Sequence, residues 1–274
     1  MDAVHPEKKN PAPRGDWRRR GVYLAPVSLA LAIVAWHFLV LWTNAPPYTL
    51  PSPAMVWERF LQTLLNGSLI RHAAVTLQEV LAGLALGVGA ATVLGYLLAK
   101  SPAFEKLLSP YIVASQSVPL VAIAPLLIIW FGPGLLSKVL ICALIVFFPV
   151  LVNTVVGIRS VQDDLQDLMR SLQATRWQTA RYLEIPAALP IMLGGLRVGA
   201  TLAVIGAVVG EFAGSNRGLG FLINVGRGQY DTALVFVAVF TLILMALSLY
   251  GFVLLVETRL LSWQQRPDEL VLTV

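Results

Sequence analysis

Long apolar runs separated by short polar breaks fill most of the chain. Six of them, at residues 22–43, 73–99, 111–131, 139–158, 191–213 and 233–256, match the roughly 20 helical residues that a hydrocarbon core of about 30 Å requires. The pattern predicts an all-α polytopic membrane protein with about six transmembrane helices. The first run leads into Asn44-Ala45-Pro46-Pro47 instead of a small-residue cleavage site, so it reads as a retained span. Pro119, Pro125 and Pro149 fall inside spans, which membrane helices tolerate when neighbours satisfy the freed carbonyls.

The breaks divide the chain into a basic N-terminal tail (1–21) expected to be disordered, a first span with an outer segment (22–72), a transmembrane core (73–258) with a polar loop at 159–190, and a C-terminal tail (259–274). In the outer segment Trp57, Phe60, Leu61, Leu64 and Leu65 share one helical face, as in a helix lying in the membrane interface. Gly83, Gly87, Ala91 and Gly95 repeat every four residues, as do Gly195, Gly199, Ala203 and Ala207. Such small-residue stripes let membrane helices approach closely, and they predict packing faces on the second and fifth spans.

Composition agrees with lipid as the main solvent. The chain is 57% hydrophobic and 13% charged, with a mean hydropathy of +0.74, against about 25% charged residues in soluble domains. The net charge of +5 could point to nucleic acid, but the basic residues sit in the tails and short loops. With both termini in the cytoplasm, fourteen lysines and arginines lie inside and five outside (Arg59, Arg71, Lys138, Arg217 and Arg227), which favours an N-in, C-in multi-pass topology. The lone Cys142, inside an apolar run, reads as a packed thiol.

Several enzyme chemistries find no support. No lysine follows a glycine, which excludes the GxxxxGK[ST] phosphate loop, and His5, His37 and His72 lack metal-ligand spacing. Polar groups inside spans are the remaining candidates. Glu79 and Glu211 lie toward the outer ends of their spans, and each is either part of a transport pathway or an acid bonded to nearby backbone. Arg197 lies near the cytoplasmic end of the fifth span and is expected to snorkel, too far along the helix from Glu211 to pair with it. Gln116 and Asn153 are further candidates to line a path, and Gly218 and Gly220 to form part of an outer gate.

The polar loop is the most informative segment. Ser160, Asp163 and Asp164 supply helix-start signals, and Leu165, Leu168, Met169 and Leu172 follow with the i, i+3, i+4, i+7 spacing of an apolar stripe. Such a stripe needs burial, either on the chain's own spans or on a partner. Asp167-Leu168-Met169-Arg170-Ser171-Leu172-Gln173, nine residues, then Leu183-Glu184-Ile185-Pro186 resembles the EAA loop of binding-protein-dependent ABC importer permeases, whose pattern is EAA, three residues, Gly, nine residues, I-x-L-P. The spacing fits, while Asp-Leu-Met replaces Glu-Ala-Ala and Gln173 replaces the glycine. Trp130-Phe131-Gly132, Phe147-Phe148-Pro149 with Asn153, Pro186 to Pro190, and Gly218-Leu219-Gly220 resemble the nitrate, sulfonate and taurine branch.

The resemblance implies a type I ABC importer permease fold in the bacterial inner membrane. It implies a homodimer forming the pathway, two cytoplasmic ABC ATPase subunits that bind the ATP, and a periplasmic substrate-binding protein, with no cofactor in this chain and no nucleic acid partner. Asp167, Leu168, Met169, Arg170, Leu172, Gln173, Ala174, Thr175, Arg176 and Pro186 would form the ATPase-coupling element. Local likeness around Leu168–Leu172 and Glu211 favours a vitamin precursor, a pyrimidine or flavin, over sulfonate, taurine or nitrate as substrate. The alternatives are a self-contained secondary transporter, which would show inverted repeats and midplane ion sites, and a membrane-anchored assembly subunit.

Overall fold

The computed structural model describes residues 17–262. Residues 1–16, most of the expected N-terminal tail, and 263–274, most of the expected C-terminal tail, lie outside the described residues. Among the described residues the secondary structure is helical throughout. In chain order it comprises α1 (Trp17–Thr43), α2 (Pro53–Leu65), α3 (Ser68–Lys100), α4 (Pro102–Gln116), α5 (Leu120–Phe131), α6 (Leu135–Arg159), α7 (Asp163–Ser171) and α8 (Arg176–Thr179). A π-turn (Ala180–Glu184), α9 (Ile185–Gly214), α10 (Leu219–Gly228) and α11 (Thr232–Leu260) complete it.

Among the described residues, five helices are long and apolar enough to cross a membrane: the Pro26–Thr43 part of α1, α3, α6, the continuous stretch Arg176–Gly214, and α11. The third expected span, 111–131, is not one straight helix. It corresponds to α4 and α5, bent by 100° at a short break. Pro119 explains the break, since it donates no amide hydrogen and drives Val118 out of the helical region. The fifth span also starts earlier than expected: helix begins at Arg176, so much of the expected 159–190 loop is continuous with α9.

The core is built on α6, with α3 and α9 against it. The two small-residue stripes are buried as expected and explain the close approach. A Cβ on Gly83 would land on the Cβ of Cys142, and one on Gly87 would sit 2.7 Å from the Ala143 carbonyl. From the other side, a Cβ on Gly195 would sit 2.6 Å from Asn153 Cβ, and one on Gly206 2.8 Å from Cys142 Cα. Cys142 is fully buried between Gly83 of α3 and Gly206 of α9, a packed thiol as its sequence context predicts. Close backbone approach supplies the dispersion that holds helices together where lipid is as apolar as leucine.

The outer layer is thinner. In α1, Trp36 stacks on Phe236 of α11 at 5.2 Å, while Leu29, Leu31, Phe38 and Leu41 are exposed, as a lipid-facing span requires. The amphipathic α2 begins with Ser52 accepting from the Met55 amide and with Pro53 at its first turn. Its Phe60 and Leu64 pack on the core and Arg59 pairs with Asp231 at 2.7 Å, leaving Trp57, Leu61 and Leu65 exposed. Half of the apolar face inferred from the sequence therefore seals protein and half is free for the interface.

Candidate functional site

The candidate residues fall at two ends of the bundle: the end that carries α7, here the loop end, and the opposite, far end. At the loop end, α7 starts after Gln162, with Asp163 and Asp164 in its first turn where the helix dipole favours acids. Ser160, expected to help start this helix, instead donates to the Gly157 carbonyl and closes α6. No residue of α7 is buried, and Leu165, Leu168 and Leu172 are 41%, 52% and 67% exposed. The apolar stripe is thus formed, with its three leucines exposed and Met169 half-buried.

The turn after α7 is tightly specified. Gln173 donates to the Arg170 carbonyl at 2.9 Å and Ala174 to that of Met169 at 3.0 Å, the paired closure of a Schellman motif. Gln173 has φ +53°, the left-handed conformation that glycine adopts without a Cβ penalty. This accounts physically for the glycine at the matching place in the EAA pattern. Thr175 then opens α8 with a reciprocal capping box to Gln178. Arg170 pairs with Asp167, Arg176 stands exposed in the first turn of α8, and Pro186 follows the π-turn at the start of α9. Gln173→Gly is expected to raise thermal stability by about 0.5–1 kcal/mol, because strain relief of about 1–2 kcal/mol exceeds glycine's extra unfolded-state entropy. A lowered melting temperature would contradict the left-handed turn.

At the far end, residues 215–218 connect α9 to α10, and side chains satisfy the amides of residues 217–221 one after another. Arg217 N–H donates to Ser215 Oγ (3.2 Å), Gly218 N–H to His72 Nδ1 (3.0 Å), and Leu219 N–H to Thr76 Oγ1 (2.8 Å). Gly220 and Phe221 both donate to Glu211 Oε2, which therefore caps the N-terminus of α10. Thr76 also donates to Glu211 Oε1 at 2.7 Å. Gly218 has φ +110°, and a Cβ on it would overlap the Glu211 carboxylate; a Cβ on Gly220 would sit 2.8 Å from Glu211 Oε2. The two glycines are required by the close approach of that acid.

A second buried chain runs alongside. Lys138 Nζ lies 3.1 Å from Glu79 Oε1 and donates to Ser215 Oγ at 2.6 Å, which donates in turn to the Arg217 carbonyl at 2.5 Å. Glu79 and Glu211 are each 1% exposed and Lys138 5%. The structure thus brings Glu79, Glu211, Gly218 and Gly220 into one polar plug that ties α3, α6, α9 and α10 together. Pairing of this kind offsets the cost of intramembrane acids, although Glu79 Oε2 is buried without a hydrogen-bond partner among the described residues.

The other polar candidates lie elsewhere. Asn153 donates to the Pro149 carbonyl within α6 and packs on Gly195, at a helix crossing. Gln116 is exposed at the α4–α5 break. Arg197 does not simply snorkel: it pairs with Glu257 of α11 and lies 5.7 Å from the Tyr250 ring. Sequence reasoning missed Thr76, Lys138 and His72 at the plug. Thr76 and Glu79 share a helical face at i, i+3, a signal available in the sequence. Lys138, at the start of α6, had been counted only as an outer loop charge.

Residues 83–262 match the family described as the inner membrane component of binding-protein-dependent transport systems. The chain is 47% identical over 251 residues, 92% of each chain, to the riboflavin transport system permease protein RibX of Chloroflexus aurantiacus. It is 36% identical to the formylaminopyrimidine transport permease protein ThiX of Halalkalibacterium halodurans over 80% of this chain and 88% of that one. Among solved structures, it resembles a chain of the inward-facing MetNI methionine ABC transporter with a TM-score of 0.63 at 16% identity, covering 72% of this chain and 97% of that one, a likeness of fold.

Proposed function

The chain belongs to the inner-membrane-component family of binding-protein-dependent ABC transport systems, and from that premise we propose that it is the permease subunit of a vitamin importer. Two copies line the pathway, two cytoplasmic ATPase subunits bind the ATP and drive it, and a periplasmic binding protein delivers the substrate. The observation that carries this reading is the uncovered apolar stripe of α7, held at the end of the spans by a capped and strained turn. A stripe of this kind is a ready seat for a separate subunit. Asp167, Leu168, Met169, Arg170 and Leu172 form the docking surface, and Gln173, Ala174, Thr175 and Arg176 shape the turn that connects it to the Pro186 end of α9.

A flavin is the favoured substrate, on the strength of the 47% identity to a riboflavin permease over 92% of the chain. A pyrimidine is the second choice, from the weaker likeness to ThiX. Cells expressing the complete system should take up labelled riboflavin, with uptake blocked by excess unlabelled riboflavin and not by taurine or formylaminopyrimidine. Uptake of labelled formylaminopyrimidine with no uptake of riboflavin would move the assignment to the pyrimidine class.

Both termini are placed in the cytoplasm, which puts α7 inside and the Glu211 plug outside. The charge bias along the chain supports this orientation. In a Cys142→Ala background, Asn216→Cys should be labelled by an impermeant thiol reagent from outside intact cells and Gln173→Cys should not, both positions being exposed. Labelling of the second and not the first would invert the topology. Ser137 is unsuitable as a reporter because it is fully buried and bonded to the Gly134 carbonyl.

A further inference from the structure

The segment between α6 and α9 is gripped at both ends by the same corner of the bundle. At its start, Arg159 donates to the Glu105 carboxylate at 2.9 and 2.6 Å and to the Leu98 carbonyl at 3.2 Å. At its end, Glu184 accepts from Lys100 Nζ at 2.5 Å and from the Tyr96 hydroxyl at 3.1 Å. Leu98, Lys100 and Tyr96 are the last turns of α3, and Glu105 is in the first turn of α4. Between these two grips, a cavity of about 1010 Å³ walled by Tyr96, Lys100, Gln166, Trp177 and Glu184 separates the segment from the spans. These grips are a direct side-chain route from the segment to α3, beside its covalent continuation into α9.

The grips are unequal. Arg159 and Glu105 are 40% and 38% exposed, and a pair so accessible to water contributes little. Lys100 is 45% exposed but Glu184 only 2%, and a carboxylate buried to that degree loses more than an exposed one when its partners are removed. Glu184 is also the last residue of the π-turn, directly before the helix that carries Glu211 at its other end. From Lys100, α3 runs about 36 Å at 1.5 Å per residue to Thr76, which donates to Glu211.

We propose that Glu184 is a positioning residue that carries displacement of the ATPase-docking segment into α3 through Lys100 and Tyr96, and along α3 to the Glu211 plug. This rests on the permease reading above. The two long helices α3 and α9 are then tied near both ends by buried acids, Glu184 at the loop end and Glu211 at the far end. Movement at one end is obliged to appear at the other.

The test uses the complete transporter, with its ATPase and binding protein, in sealed vesicles, and reads substrate taken up per ATP hydrolysed. Glu184→Gln should retain the ATPase and hydrolyse ATP, while uptake per ATP falls by about fivefold or more, the range of coupling between linked sites. Lys100→Glu combined with Glu184→Lys should recover most of the loss, which identifies the ion pair as its source. Tyr96→Phe, which removes one hydrogen bond and no charge, should show a smaller loss in the same direction, and it keeps the test open if Glu184→Gln fails to accumulate. Unchanged uptake per ATP in the accumulating variants, or a loss that the exchanged pair does not recover, overturns the proposal. If the wild-type chain itself retains no ATPase, the permease reading fails; if the wild type couples and Glu184→Gln couples equally, only the role of Glu184 fails.

Discussion

Leu172→Asp should abolish co-purification of the ATPase and substrate-stimulated ATP hydrolysis, while the isolated permease melts at its wild-type temperature. The side chain is 67% exposed at the end of α7, so a charge there meets water in the free permease and costs its fold little. Docking changes that environment. Burying a leucine contributes about 1.5–3 kcal/mol, and a buried aspartate forfeits this and adds its own desolvation. Leu168→Asp, at a position 52% exposed, should act in the same way, and Leu165→Asp more weakly if it lies at the edge of the seat. A lowered melting temperature with the ATPase still bound would mean that the stripe serves the permease's own fold.

Gly218→Ala should be among the most damaging single-methyl changes in the chain. Its φ of +110° is one that an L side chain rarely adopts, and the new Cβ would overlap the Glu211 carboxylate. The acid must then move off the amides of Gly220 and Phe221, leaving buried donors unpaired at about 1–3 kcal/mol each. Backbone strain of about 1–2 kcal/mol adds to this. The sum is a large fraction of the stability of any domain, so the purified permease should melt well below wild type or fail to accumulate. Glu211→Gln keeps one acceptor oxygen and should be milder than Glu211→Leu, which keeps none. Wild-type melting of Gly218→Ala would contradict the plug geometry.

The legible part of the fold was what repeats along one helix. The stripes Gly83 to Gly95 and Gly195 to Ala207 were read from spacing alone and are the faces buried on α6. The stripe of α7 was read in the same way, though its exposure was not, because periodicity shows that a face exists and not what covers it. Residues brought together by topology were the hidden part. Lys138 with Glu79, Glu184 with Lys100, and Arg197 with Glu257 join positions far apart in sequence, and no local signal links them. The straight third span failed because hydropathy ignores amide donors, and Pro119 breaks the ladder without lowering the apolar content. Gln173 is the instructive departure. It stands where the family pattern has glycine, and its positive φ shows that the glycine's backbone conformation is kept and only its ease is lost.

On the proposed function, a separate ATPase drives transport through α7. Vesicles containing the permease and an internal ATP supply, with the binding protein and riboflavin outside, should accumulate riboflavin only when the ATPase subunit is also present. A proton or sodium gradient imposed without the ATPase should give none. Accumulation driven by such a gradient in vesicles that lack the ATPase would contradict the account directly.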